Sequence, residues 1–144
     1  MKTQTRVAGI WIVQEQILLE SLVGLNLWGI PGGRLEPDEA LEQGCVREYR
    51  EETGIEMRCR SLAILHEYFW HHDGIAMREY GFYFIVEAED PNLGFPSPVQ
   101  SLEEELKFQW FHLDEIERLN FVPQPLKSTL SQLGHNPIFI STKA

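Results

Sequence analysis

Gly33-Arg34-Leu35-Glu36-Pro37-Asp38-Glu39, followed six residues later by Val46-Arg47-Glu48-Tyr49-Arg50-Glu51-Glu52-Thr53-Gly54-Ile55, is the stretch on which the fold turns. Asp38 and Glu39 suit a helix start and Gly54 a stop, so the pattern predicts a helix over 38–53. At about 100° per residue, Ala40, Leu41, Gly44 and Cys45 share one face. That face continues into Glu48, Glu51 and Glu52, so a small, apolar stripe ends in three acids. Like charges three or four residues apart cost roughly 0.2–0.5 kcal/mol per pair. Here they also gather at the helix C-terminus, where the macrodipole disfavours negative charge. Local stability gives no reason for the arrangement, whereas a bound hard cation does. Oxygen donors on a rigid helix suit Mg²⁺ or Mn²⁺, with water and substrate phosphates filling the remaining positions.

The order Gly33, Glu39, Arg47-Glu48, Glu51-Glu52 and Thr53-Gly54-Ile55, approached through Trp28-Gly29-Ile30-Pro31-Gly32, resembles the signature of the Nudix hydrolases of the MutT type. Tyr49 departs from it, since the family usually carries an aliphatic residue there. It lies near Val46 and away from the acids on the helical wheel, which makes it a packing variation. The signature spans residues 33–55, or 23 of 144 positions, and elsewhere the resemblance lies in element order. It implies an α/β (α+β) domain over residues 1–144: an αβα sandwich with a mixed β-sheet and a loop–helix–loop metal site.

The resemblance further implies Glu48, Glu51 and Glu52 as metal ligands with the Gly32 carbonyl, and Mg²⁺ or Mn²⁺ as cofactor. Glu48 or Glu51 would take the proton of the attacking water. The implied activity is a pyrophosphohydrolase that cleaves the diphosphate linkage of a nucleoside diphosphate derivative by water attack at phosphorus. A nucleoside triphosphate, an oxidised nucleotide or a nucleotide sugar such as ADP-ribose would all qualify. The downstream proline of ADP-ribose enzymes and the tyrosine of dinucleoside polyphosphate enzymes are absent, their places being taken by Trp70-His71-His72-Asp73. The alternative is a non-catalytic nucleotide-binding or regulatory Nudix domain. Such domains have usually lost acids from the signature, whereas Glu48, Glu51 and Glu52 are all present here.

Other residues invite secondary roles. Arg47 stands four residues before Glu51, a spacing for a bridge that orients a ligand beside the catalytic acids. Arg34 could reach a substrate phosphate from the loop or be solvated there. Glu39 is either an outer ligand of the metal or a favourable charge at the helix N-terminus. From the run Glu103-Glu104-Glu105, Glu104 is the favoured additional metal ligand or base. His66, His71 and His72 read as loop or surface histidines, and Trp28, Tyr68, Phe69, Trp70 and Tyr83 mainly as core.

Composition sets the outer bounds. A chain of 144 residues with 43% hydrophobic and 24% charged residues matches an ordinary soluble globular protein. The net charge of −10 argues against a sequence-independent nucleic-acid surface, and seven of the 22 acids fall within 33–55. No apolar run reaches the roughly 20 residues of a membrane span, and no secretory leader pattern opens the chain. Two cysteines, Cys45 and Cys59, give no disulfide framework, so a cytoplasmic location is expected. A small-molecule substrate is the expected partner, with a homodimer left open.

The remaining elements read as a hairpin of 6–13 and 16–20, a short strand at 27–30, and a tight turn at Gly32-Gly33. After the helix come an extended stretch over 55–68, a turn over 69–79, a strand over 80–88 and a long loop over 89–102. A strand at 108–112, a short helix capped by Asp114 and a second helix over 125–133 follow; 138–140 either closes the sheet or extends the tail.

Overall fold

Alternation along β1 (Lys2–Val13) divides the interior into two cores. Ala8 and Ile10 face one core, with Ile17, Leu19, Ile64, Phe111 and Leu126. Val7 and Trp11 face the other, with Leu18, Cys45, Tyr49, Met57 and Val86. A computed structural model describes residues 1–144. β1 turns into β2 (Gln16–Leu22) through Gln14 and Glu15, which sit at φ 50° and 63°, the left-handed backbone that two-residue hairpin turns demand. β1 and β2 pair only through Ile12 with Ile17 and Val13 with Gln16. Further back along β1, Arg6–Ala8 pair instead with β3 (Gly32–Arg34).

The sheet continues through β4 (Met57–His72), β5 (Ile75–Ala88), β6 (Leu106–His112) and β7 (Ile138–Lys143) in the order β6-β2-β1-β5-β4-β7. It is mixed: β1 runs parallel to β5, and β4 parallel to β7, while β2–β6 and β4–β5 are antiparallel. Helix α1 (Leu41–Thr53) contributes Cys45 and Tyr49 to one core. Two 3-10 helices, Leu113–Arg118 and Gln124–Ser131, contribute Ile116, Leu126 and Leu130 to the other. This is the expected sandwich, an α+β fold with helical layers on both sheet faces.

Several element bounds differ from the sequence reading. Residues 36–39 form a turn, closed by the Glu39 N–H on the Glu36 carbonyl at 3.2 Å, so Asp38 does not cap the helix. The chain instead enters α1 at Ala40, whose N–H donates to Gln43 Oε1 at 2.9 Å. Gly54 ends α1 as expected, at φ 75°, with its N–H on the Arg50 carbonyl. Gly32 and Gly33 are in strand β3 rather than a turn, and Leu27–Ile30 forms only isolated bridges, Gly29 with Glu20 and Trp28 with Phe121.

The stretch expected as a turn over 69–79 is mostly strand. Only Asp73-Gly74, a strong hairpin dipeptide, makes the turn, and Tyr68 stacks on Trp70 at 5.1 Å across the extended β4. His112, not Asp114, precedes the first 3-10 helix and donates its N–H to Glu115 Oε1 at 3.0 Å. β7 closes the sheet edge. The 89–102 loop packs down rather than standing free: Phe95 meets Trp11 edge-on at 4.6 Å, and Trp110 Nε1 donates to the Ser97 carbonyl at 2.7 Å. Cys45 and Cys59 are free thiols. No helix is long and apolar enough to cross a membrane.

Candidate functional site

The acids of the site are presented by the last two turns of α1. Tyr49 anchors that half of the helix: it is fully buried, and its hydroxyl donates to the Gly9 carbonyl at 2.7 Å. The packing role expected for this residue is what the structure shows. Opposite, strand β3 runs alongside β1 because its glycines have no side chains. A Cβ on Gly32 would strike the backbone of Val7 and Ala8, and one on Gly33 would occupy the space of the Glu48 carboxylate. The two glycines thus let the strand and the helix close around Glu48.

Arg47 organises the surrounding charge. Its Nε and Nη2 donate to Glu39 Oε2 and Oε1 at 2.6 and 2.9 Å, a two-pronged pair. Nη1 donates to Glu48 Oε1 and Glu51 Oε2, each at 3.1 Å, and Nη2 also reaches the Arg34 carbonyl at 3.1 Å. Glu39 first, and Glu48 as well, hold Arg47 even more firmly protonated than usual, and Arg47 in turn holds the Glu39 carboxyl below its usual range. Glu39 therefore serves as the second anchor of Arg47. The geometry of Arg47 is that of a positioning residue, fixing the directions of Glu48 and Glu51.

Glu52 is different: its residue exposure is 5%, and its Oε2 is buried with no hydrogen-bond partner. Burial, then the neighbouring carboxyl of Glu20 and that of Glu48, push the Glu52 carboxyl far above the normal carboxylate range. Glu20 was not singled out from the sequence, where it only ended the strand over 16–20. Its Oε2 is likewise buried and unpartnered, and burial raises its carboxyl despite the Arg6 guanidinium 3.6 Å away. The available signal was an acid following Ile17-Leu18-Leu19 on the same strand face as Leu18, which packs against α1.

No three acidic, histidine or cysteine side chains stand at metal-ligand spacing from one another. The donor set nevertheless fits a hard divalent cation: it is all oxygen, and two buried carboxylate oxygens lack the partners such groups normally have. Mg²⁺ commonly takes one or two carboxylates and fills its sphere with water and phosphate oxygens, so a closed protein cage is unnecessary.

The other candidates are dispersed. Arg34 is exposed on β3, and Glu51 is half-exposed beyond Arg47. Of the acidic run, the half-buried Glu103 senses Glu48 and Glu51: burial, then Glu105 and those two acids, raise its carboxyl, while Glu104 is exposed at a turn. Leu102 brings this segment to the site by donating its N–H to the Glu52 carbonyl at 2.8 Å. His71 and His72 lie at the far tip of the β4–β5 hairpin, and His66 is buried against Thr142, so none of the three joins the acids.

Two depressions stand out. One of about 750 Å³ lies on the outer side of α1 among Glu36, Glu42, Arg50 and Cys59 and is lined mainly by polar residues. The other, about 400 Å³, is mainly apolar, has Leu22, Leu27, Leu106 and Val122 in its walls, and includes Arg6 and Glu20. The second has the character of a ligand pocket, since apolar walls converge on a few charged groups next to the buried acids.

A mixed sheet carrying a glycine strand and an acid-tipped helix defines a loop–helix carboxylate site of the Nudix kind. The NUDIX domain model matches residues 3–132, and the chain belongs to that family. It is 28% identical to the mouse bis(5'-nucleosyl)-tetraphosphatase [asymmetrical], over 84% of this chain and 78% of that protein. It is 44% identical to the CTP pyrophosphohydrolase of Escherichia coli over 32% of this chain, a match spanning 42% of that enzyme. Several other curated relatives are likewise matched over less than two-thirds of their own length. Among solved structures, a MutT protein from Bacillus halodurans shares the fold with a TM-score of 0.73 at 22% identity, covering 97% of this chain and 89% of that one.

Proposed function

We propose that the protein is a Mg²⁺- or Mn²⁺-dependent pyrophosphohydrolase that cleaves the diphosphate linkage of a nucleoside diphosphate derivative. The observation carrying this reading is Glu52, a buried carboxyl with an unpartnered oxygen, set against Glu48 and against Glu20, which lines an apolar pocket. Burial without a donor or counter-charge disfavours the ionised form of such an acid, and a bound cation would reverse that.

Glu48, Glu51 and Glu52 would hold the cation, with the Gly32 carbonyl beside them. The bound cation would neutralise the diphosphate and ease deprotonation of water. Arg47 keeps Glu48 and Glu51 aimed throughout. One of those two accepts the proton of the attacking water, and the half-exposed Glu51 has the freer access to solvent. The apolar pocket receives the nucleoside end, which would cover the exposed Leu22, Leu27 and Val122. Relatives named for a dinucleoside tetraphosphate and for CTP fit a substrate built on a nucleoside and an anhydride.

Incubation of the protein with nucleoside triphosphates, nucleotide sugars and dinucleoside polyphosphates, with Mg²⁺ or Mn²⁺ in oxygen-18 water, tests the reading. Mass analysis should show one product with a single heavy oxygen on phosphorus and no turnover in chelator. Binding without any cleavage across the panel would favour the non-catalytic alternative.

A further inference from the structure

Glu20 lies outside the helix that carries the other acids, yet the fold brings it to them. Its position is set twice by backbone bonds: its N–H donates to the Gly29 carbonyl at 2.8 Å, and the Gly29 N–H donates to its carbonyl at 2.9 Å. On the other edge it pairs with Phe108 of β6. β2 and β1 are no longer paired at this level, and β3 has taken the β1 edge, so the side chain projects beside the Gly32 backbone N–H.

Two ordinary explanations for a buried glutamate fall short here. Arg6 stands 3.6 Å from Glu20 Oε1, too far for a good hydrogen bond, and its Nη2 is already used on the Ile30 carbonyl at 3.2 Å. Glu20 Oε2 receives no donor, and the carboxyl within its reach is that of Glu52, whose Oε2 receives none either. Two acids facing each other with bare oxygens, one on a strand and one on a helix, lack a shared positive group. We propose that Glu20 belongs to the metal-binding carboxylate set, completing it from the sheet side opposite Glu52. The proposal rests on the metal-dependent reading above and extends it beyond the signature residues.

Mn²⁺ binding to the purified full chain, followed by the paramagnetic resonance of the free ion without substrate, tests it. Wild type should bind Mn²⁺; failure of that control would overturn the metal reading itself. Glu20→Gln should weaken binding about tenfold or more, with its metal-free melting temperature unchanged or higher. Glu20→Asp, which keeps the charge on a shorter arm, should fall between them. Arg6→Gln should not reproduce the loss, because Arg6 is not the group Glu20 serves. Unchanged Mn²⁺ affinity in Glu20→Gln would overturn the proposal. So would a metal-free Glu20→Gln that melts far lower or does not fold, since that would make the acid a structural partner of Arg6.

Discussion

Arg47 reaches Glu39, Glu48, Glu51 and the Arg34 carbonyl with a single guanidinium, while Glu52, the most buried acid, receives none of its hydrogen bonds. Arg47 thus orients Glu48 and Glu51, whereas Glu52 is left without a donor; under the proposed function Glu48 and Glu52 both hold the cation. Substitutions should follow that assignment. Glu52→Gln and Glu48→Gln should each lower kcat on the order of 10²-fold or more, since each removes a charged donor from the cation site. Glu42→Gln, exposed on the outer side of α1, should alter kcat little. Steady-state kinetics on the best substrate of the panel checks this, and equal losses at Glu42 and Glu52 would contradict the assignment of faces.

At the scale of elements, strong local signals survived into the fold and weak ones were overridden by pairing. The Gly54 stop and the period of α1 were legible because both depend on residues within one helix. Gly32-Gly33 read as a turn because nothing in the sequence shows that a strand must lie against Val7 and Ala8, where only glycine fits. The length of β4 was hidden for a similar reason: besides its hairpin partner β5, its outer half is held by β7, far along the chain. β7 is held to β4 partly through His66, buried at 3% exposure with Nε2 2.7 Å from Thr142 Oγ1 and its ring stacked on Tyr68. Burial holds the His66 imidazole below its usual value, only partly opposed by Glu79. The folded state thus binds fewer protons here than the unfolded chain. This contribution is complete above the ordinary value of 6.5 and is lost as pH falls through it towards the lower folded value. In urea titrations, the stability advantage of wild type over His66→Gln should shrink between about pH 7.5 and 5.5. A difference that does not change with pH would contradict it.

Over the whole molecule, the site forms where β2 and β3 flank β1 and the end of α1 meets the segment after the 89–102 loop. The helical acids were legible because a like-charged stripe at a helix C-terminus is locally unfavourable and calls for a cause. Glu20 and Glu103 were not, since their proximity to Glu52 and Glu48 arises from strand order and loop docking, which single-chain periodicity does not encode. Under the proposed function a cation stabilises this junction, at the expense of the protein without one. Thermal melting of wild type and Glu52→Gln, each with chelator and with saturating Mg²⁺, decides this. In chelator, Glu52→Gln should melt at the same temperature as wild type or higher, because it removes an acid that folding forces to stay protonated beside Glu20 and Glu48. With Mg²⁺ at a hundredfold excess over Kd, wild type should gain roughly 2.7 kcal/mol and the variant clearly less. A Glu52→Gln protein that is destabilised in chelator, with Mg²⁺ shifting neither melt, would show the acids to be structural and contradict the account.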